Sequence, residues 1–187
     1  SRLCADLGFD GIDIHMCCPD RCIEQQGCGA AMIKNPDNAK EVIAAAKRGA
    51  DGLPVSVKTR LGYLEDELET WLPAILSQSP AVVTIDARTR KELSKVPARW
   101  ERVARAVEIR DECNSDTLIF GNGDILSLED AHEKIAASGA DGVMVGRAIF
   151  GNPWFFHPDR RLPVSLTALP TSGVDRDSII APNASSD

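Results

Sequence analysis

The sequence predicts an α/β fold, a partial TIM (β/α)8 barrel of about five β/α units over residues 1–156, followed by a disordered C-terminal tail over 157–187. Three observations predict it. Apolar, β-branched bursts alternate with helix-patterned segments at roughly 25 to 43 residues per step, the order of βαβ units and a parallel sheet. Each burst hands over at its carboxyl end to a reactive or ligand-type side chain, and a barrel brings such ends to one mouth where an open sheet would scatter them. The last two bursts end in glycine turns that let backbone N–H groups approach an anion.

A helical turn over Arg2 to Leu7 is stopped by Gly8. The five strand bursts are Gly11 to His15, Val55 to Lys58, Val82 to Asp86, Leu118 to Gly121 and Gly142 to Val145. Between them, Asn35 is a helix N-cap with Pro36 in the first turn and Gly49 past the end. Further helices are expected over Glu67 to Leu76, Trp100 to Cys113 and Ser127 to Ala136, the last opening on a capping-box-like Ser-Leu-Glu-Asp. From His157 onward Pro158, Pro163, Pro170 and Pro182 stand among Ser, Asn and Asp with no helical or strand period.

Composition fits one folded domain: 187 residues with 43% hydrophobic and 26% charged residues, 14 Gly and 11 Pro, which argues against disordered, collagenous and coiled-coil chains. No apolar run is long enough for a membrane span and no basic-then-apolar leader opens the chain. Ser1 stands at the start of a helical turn, the opening expected of a piece of a longer protein. Six cysteines without a secretory leader point to a reducing compartment, with a cytoplasmic location as the expectation.

The polar groups at the strand ends are His15 with Cys17 and Cys18, Lys58 and Arg60, Asp86 and Arg88, Asn122 and Asp124, and Arg147. Gly121-Asn122-Gly123-Asp124 and Gly146-Arg147-Ala148 end the last two strands, where barrels commonly hold a phosphate. Cys17, Cys18, Cys22 and Cys28 lie near His15, but neither a Cys-x2-Cys pair nor a ferredoxin spacing is present, so no metal site is assigned. Cys4, Cys22, Cys28 and Cys113 read as small buried hydrophobes.

Net charge is −7, yet Arg88 to Arg110 holds eight basic against three acidic residues. Such a basic stretch at the barrel mouth suits an RNA backbone, and the loop from Arg90 to Arg99 is read that way, with Arg102, Arg105 and Arg110 equally suited to a solvated helix face. Trp71 and Trp100 are read as helix-to-barrel packing, and His132 and His157 carry no signal.

Several stretches in order and spacing resemble the tRNA-dihydrouridine synthase family: Gly8 to Pro19 (GFDGIDIHMCCP), Gly27 to Met32 (GCGAAM), Val57 to Gly62 (VKTRLG), Ala87 to Arg90 (ARTR), Gly121 to Ile125 (GNGDI) and Asp141 to Ala148 (DGVMVGRA). The resemblance implies a flavin-dependent barrel that reduces the C5=C6 bond of uridines in tRNA with FMN and NADPH. It aligns the five units with strands four to eight of the family's barrel, so that strands one to three and a helical domain lie outside this chain and the chain alone is expected to be inactive. It implies Cys18 as the catalytic cysteine that gives a proton to uracil C5, a role suited to a thiol because thiols are mostly protonated at neutral pH. Lys58, Asp86, Asn122, Gly123, Asp124, Gly146 and Arg147 fall on the cofactor side, and His15, Arg60, Arg88 and Arg90 on the substrate side.

Three positions depart from the family pattern: His15 stands for an usual Asn, Cys17 for Gly and Asp86 for His. His15 can match an amide's donor and acceptor in one tautomer only, and Asp86 brings a negative charge to the flavin side. Two other readings stand beside the leading one. The first is another FMN- or phosphate-binding barrel oxidoreductase, such as a dihydroorotate dehydrogenase-like enzyme; the second is a degenerate, non-catalytic RNA-binding fragment.

Overall fold

Five strands lie parallel in sequential order in the computed structural model, which describes residues 1–156. They are β1 (Ile12–His15), β2 (Val55–Arg60), β3 (Val82–Asp86), β4 (Leu118–Asn122) and β5 (Gly142–Met144). Helices alternate with them: α1 (Arg2–Asp6) and, after β1, α2 (Arg21–Gln25) and α3 (Pro36–Gly49), then α4 (Leu68–Leu76), α5 (Trp100–Glu112) and α6 (Leu128–Ser138). Two 3-10 turns, Gly29–Lys34 and Arg147–Ile149, complete the description. This is the partial barrel architecture expected from the sequence, and the tail reading for 157–187 lies outside the described residues.

The register explains which side chains reach the site. Ile12 pairs with Val55, Val57 with Val83, Ile85 with Gly121 and Phe120 with Gly142. One face of the sheet therefore carries Val57, Thr59, Val83, Ile85 and Ile119, all fully or almost fully buried under the helices. Trp71 of α4 lies in this layer and donates its indole N–H to Thr59 Oγ1 at 3.0 Å. Trp100 of α5 packs on Gly121 so closely that a Cβ there would stand 2.3 Å from the indole ring, which fixes glycine at this point of β4. Both tryptophans thus pack helices onto strands, as the sequence suggested. The opposite face carries His15, Lys58, Thr84, Asp86, Phe120 and Asn122, and its polar end lies at the carboxyl ends of the strands.

Local chemistry accounts for the helix limits. The Asn35 side chain accepts from Asn38 N, the Ser127 hydroxyl accepts from Asp130 N, and Gly139 closes α6 in the left-handed conformation at φ 70°. Gly49 ends α3 from inside the helix and Ala50 caps it. β2 runs two residues past the expected end, since Thr59 and Arg60 still pair with Ile85 and Asp86. No helix among the described residues is long and apolar enough to cross a membrane.

Candidate active site

The loop between β1 and α2 carries Cys17, Cys18 and Pro19. Cys18 is half-buried, whereas Cys17 is 2% exposed. Three successive carbonyls of this loop are each held by a different element: Cys17 O accepts from Arg60 Nε at 2.9 Å, Cys18 O from Ala30 N at 2.8 Å and Pro19 O from Arg90 Nη2 at 3.3 Å. The Ala30 contact needs a tight approach, and Gly29 makes it possible: its φ is +60° and a Cβ there would stand 2.6 Å from Cys18 O. Asp20 then caps α2 by accepting from Cys22 N and Ile23 N.

Lys58 in β2 is the register partner of His15 at the end of β1. Burial and the neighbouring Lys58 charge lower the His15 pKa, so the ring stays neutral at pH 7 and offers one donor and one acceptor. Lys58 Nζ donates to Cys17 Sγ at 3.5 Å, and the same thiol lies 4.0 Å from Asp86 Oδ2. Burial pushes the Cys17 pKa up, which keeps it a thiol. Cys17 and Asp86, two of the three departures from the family pattern, are therefore in contact with each other.

Asp86 is 9% exposed. Arg60 Nη1 stands 3.2 Å from its Oδ2 and Arg88 Nη1 3.7 Å from its Oδ1. Burial raises its pKa against the pull of Arg60, Lys58 and Arg88. The negative charge foreseen at this position is thus only partly compensated by the neighbouring cations, because burial outweighs them. Asp86 Oδ1 is buried and has no hydrogen-bond donor among the described residues.

Beyond β4 and β5 the site opens. A cleft of about 690 Å3 is lined by Asp86, Arg88, Ser94, Asn122, Gly123, Asp124, Ile125, Leu126, Met144, Gly146, Arg147 and Ala148. Its volume is in the range of small-molecule pockets. Asn122 Nδ2 donates to Met144 O at 2.6 Å and ties the two strand ends together. Asp124 accepts from Ala98 N at 2.8 Å and pairs with Arg88 at 2.5 Å and Arg147 at 3.0 Å. Burial opposes its ionisation, but those donors hold its pKa low. Arg147 keeps 64% of its side chain exposed, and space is open above Gly146 where a Cβ would stand. An exposed guanidinium beside an uncluttered glycine backbone fits an anionic group such as the phosphate of FMN.

The structure brings every sequence-derived site residue to this rim, but it uses the arginines differently from the sequence expectation. Arg88 is 4% exposed in its side chain and donates from Nε to Val96 O at 2.6 Å. Arg60 is clamped between Asp86, Cys17 O and Thr89 O. Arg90 pairs with Glu24 and Arg99 with Glu92. Arg102 pairs with Asp66 and Glu69, Arg105 with Glu69, Glu108 and Glu112, and Arg110 with Asp111 and Asp141. Of the eight basic residues in the supposed RNA-binding stretch, Lys91 and Lys95 alone have no ion pair among the described residues. Within the loop from Arg90 to Arg99, Arg90 and Arg99 are thus tied to Glu24 and Glu92, whereas Lys91 and Lys95 keep no ion pair among the described residues.

The cysteine reading also changes. Cys22, Cys28 and Cys113 are exposed and Cys4 is half-buried, because they sit on a short surface helix, a turn, a helix end and the outer α1. Sequence reasoning missed Glu24, α2 and Tyr63; the Asp20 cap and the Gly27-x-Gly29 turn were the signals that could have located α2.

Taken together, the residues define a segment of a parallel β/α barrel with a thiol loop and an open, arginine-lined cleft on its carboxyl rim. The chain belongs to the dihydrouridine synthase (Dus) family, whose model matches residues 1–168. It is 47% identical over 158 residues to a probable tRNA-dihydrouridine synthase of Staphylococcus aureus (strain N315), covering 84% of this chain and 48% of the relative. A probable tRNA-dihydrouridine synthase 2 of Bacillus subtilis (strain 168) is 47% identical over 156 residues, covering 83% of this chain and 47% of the relative. The chain spans about half the length of the curated relatives it matches. Among solved structures it is similar to 2,3-dimethylmalate lyase, with a TM-score of 0.52 at 15% identity, covering 82% of this chain and 58% of the other, a likeness of fold alone.

Proposed function

We propose that the protein reduces uridine to dihydrouridine in tRNA in the cytoplasm, with FMN as cofactor and NADPH as reductant, and that Cys18 is the proton donor to uracil C5. The observation that carries this reading is the anchored Cys18 loop beside Lys58 and the open cleft, all on one rim.

FMN, when bound, supplies hydride for uracil C6. Asn122, Gly123, Gly146 and Arg147 would hold its phosphate and Lys58 would lie against its ring, where a cation favours the reduced, anionic form. Asp124 holds Arg88 and Arg147 in place until a phosphate competes for Arg147. Cys18 keeps a proton on Sγ at the rim and releases it to C5, and its thiolate recovers a proton from water. Neutral His15 beside Lys58 can orient the uracil edge by one donated and one accepted hydrogen bond.

A chimera tests this reading: residues 1–156 replace the matching segment of the Staphylococcus aureus relative. NADPH-dependent dihydrouridine formation on tRNA lacking the base should be abolished by Cys18→Ala while bound flavin absorbance is retained. No product from the chimera, with the unaltered relative active in the same assay, would overturn it.

A further inference from the structure

Arg90 lies in the loop after β3, and its backbone N–H donates to Gly62 O at 2.9 Å, which fixes the base of its side chain. Its guanidinium then serves three partners at once. Nε donates to Glu24 Oε1 at 2.7 Å and Nη2 pairs with the other carboxylate oxygen, a two-point grip on α2. Nη2 also donates to Pro19 O, one residue beyond Cys18, and the guanidinium carbon stands 5.3 Å from the centre of the Tyr63 ring. The Glu24 side chain is only 8% exposed, so this carboxylate depends on Arg90 for its counter-charge.

These contacts leave the guanidinium committed within the protein. We infer that Arg90, held by Glu24, is a positioning residue for Cys18: it locks the loop at Pro19 and thereby sets the access of the Cys18 thiol. The catalytic meaning of that positioning rests on the reading of Cys18 above, whereas the positioning itself does not. Arg90 suits the task because a planar fork grips a carboxylate and a carbonyl together, and a lysine at the same charge does not.

The test is the rate at which iodoacetamide alkylates Cys18 in the 187-residue chain, read by peptide mass spectrometry against the remote, exposed Cys113. Arg90→Ala and Arg90→Lys should each label Cys18 several-fold faster than the wild type with Cys113 unchanged. Glu24→Gln, which keeps the shape of the contact, should move the Cys18 rate in the same direction, and adding it to Arg90→Ala should bring no further increase. Circular dichroism checks that each variant folds; if Arg90→Ala does not, the other two carry the test. Wild-type Cys18 labelling in the folded variants would overturn the inference, and a loss of tRNA binding that Arg90→Lys restores would assign Arg90 to phosphate contact instead. Labelling needs neither flavin nor tRNA, so it answers independently of whether the protein is a reductase.

Discussion

The two halves of the carboxyl rim use charge in opposite ways. On the β1 to β3 side, Arg60 and Arg88 are almost wholly buried; they flank the buried Asp86 and donate to backbone carbonyls of neighbouring loops. On the β4 to β5 side, Arg147 lines an open cleft with Asp124 as its one carboxylate partner among the described residues. The first half is built to hold a thiol loop still, and the second to exchange partners. An arginine at the end of a barrel strand is therefore not by itself a ligand contact, since burial decides whether its donors are available.

The largest effect that would sharpen this contrast is expected at Asp86. Removing it in Asp86→Ala leaves Arg60 and Arg88 with one fewer counter-charge in a buried setting. A loss of about 3 kcal/mol is expected, the low end for breaking a buried pair, because Arg88 keeps Asp124 and Arg60 keeps two carbonyls. Urea unfolding measures it, and a change below about 0.5 kcal/mol, the level of an ordinary surface substitution, would show that the buried side is not held by charge.

Asp86 also gives the buried side its own pH dependence. Its pKa is raised on folding, so its ionised form is disfavoured in the native state and that penalty is relieved as pH falls through the raised value. The carboxylates held low by partners do the reverse: Glu69 by Arg105, Asp130 by Lys134, and Asp124 despite its burial. Their contribution is complete above unfolded values of about 4 and is lost as pH falls through their lowered native ones. The stability difference between wild type and Asp86→Asn should therefore widen in favour of the wild type as pH drops from neutrality towards about 4, where an unfolded aspartate begins to protonate. Urea midpoints collected across that range check the direction, and a constant difference would mean that Asp86 does not titrate differently on folding.

The same division explains what the sequence made legible. Strand order and most helix limits could be read because Asn35, Ser127 and the alternating apolar bursts act locally. The rim residues could be located because parallel strands bring their carboxyl ends together. Their partners could not, since Arg90 meets Glu24 across 66 positions and Arg102 meets Asp66 across 36. Arg147 fits the sequence expectation better than Arg60 because its surroundings are open, so a residue type near a glycine turn suffices to read it. Cys17 illustrates the limit: next to Cys18 in sequence, it is buried and meets Lys58 and Asp86.

The smallest stability effect, and the sharpest separation of the two halves, is expected at Arg147. Its side chain is 64% exposed and its ion pair to Asp124 is solvent-screened, so Arg147→Ala should change unfolding free energy by no more than about 0.5 kcal/mol. Binding should respond more. A phosphate that draws Arg147 away from Asp124 gains a charge-assisted contact but loses a weak surface pair, which places the net effect near the low end of such contacts, about 1.5 kcal/mol or roughly tenfold in affinity. Titration of the chimera with FMN, followed by flavin fluorescence, reads the affinity, and urea unfolding of the same variant reads the stability. Equal affinity for wild type and Arg147→Ala would remove Arg147 from the cradle, and a stability loss of the size expected at Asp86 would erase the distinction between a buried, structural half and an open, ligand-binding one.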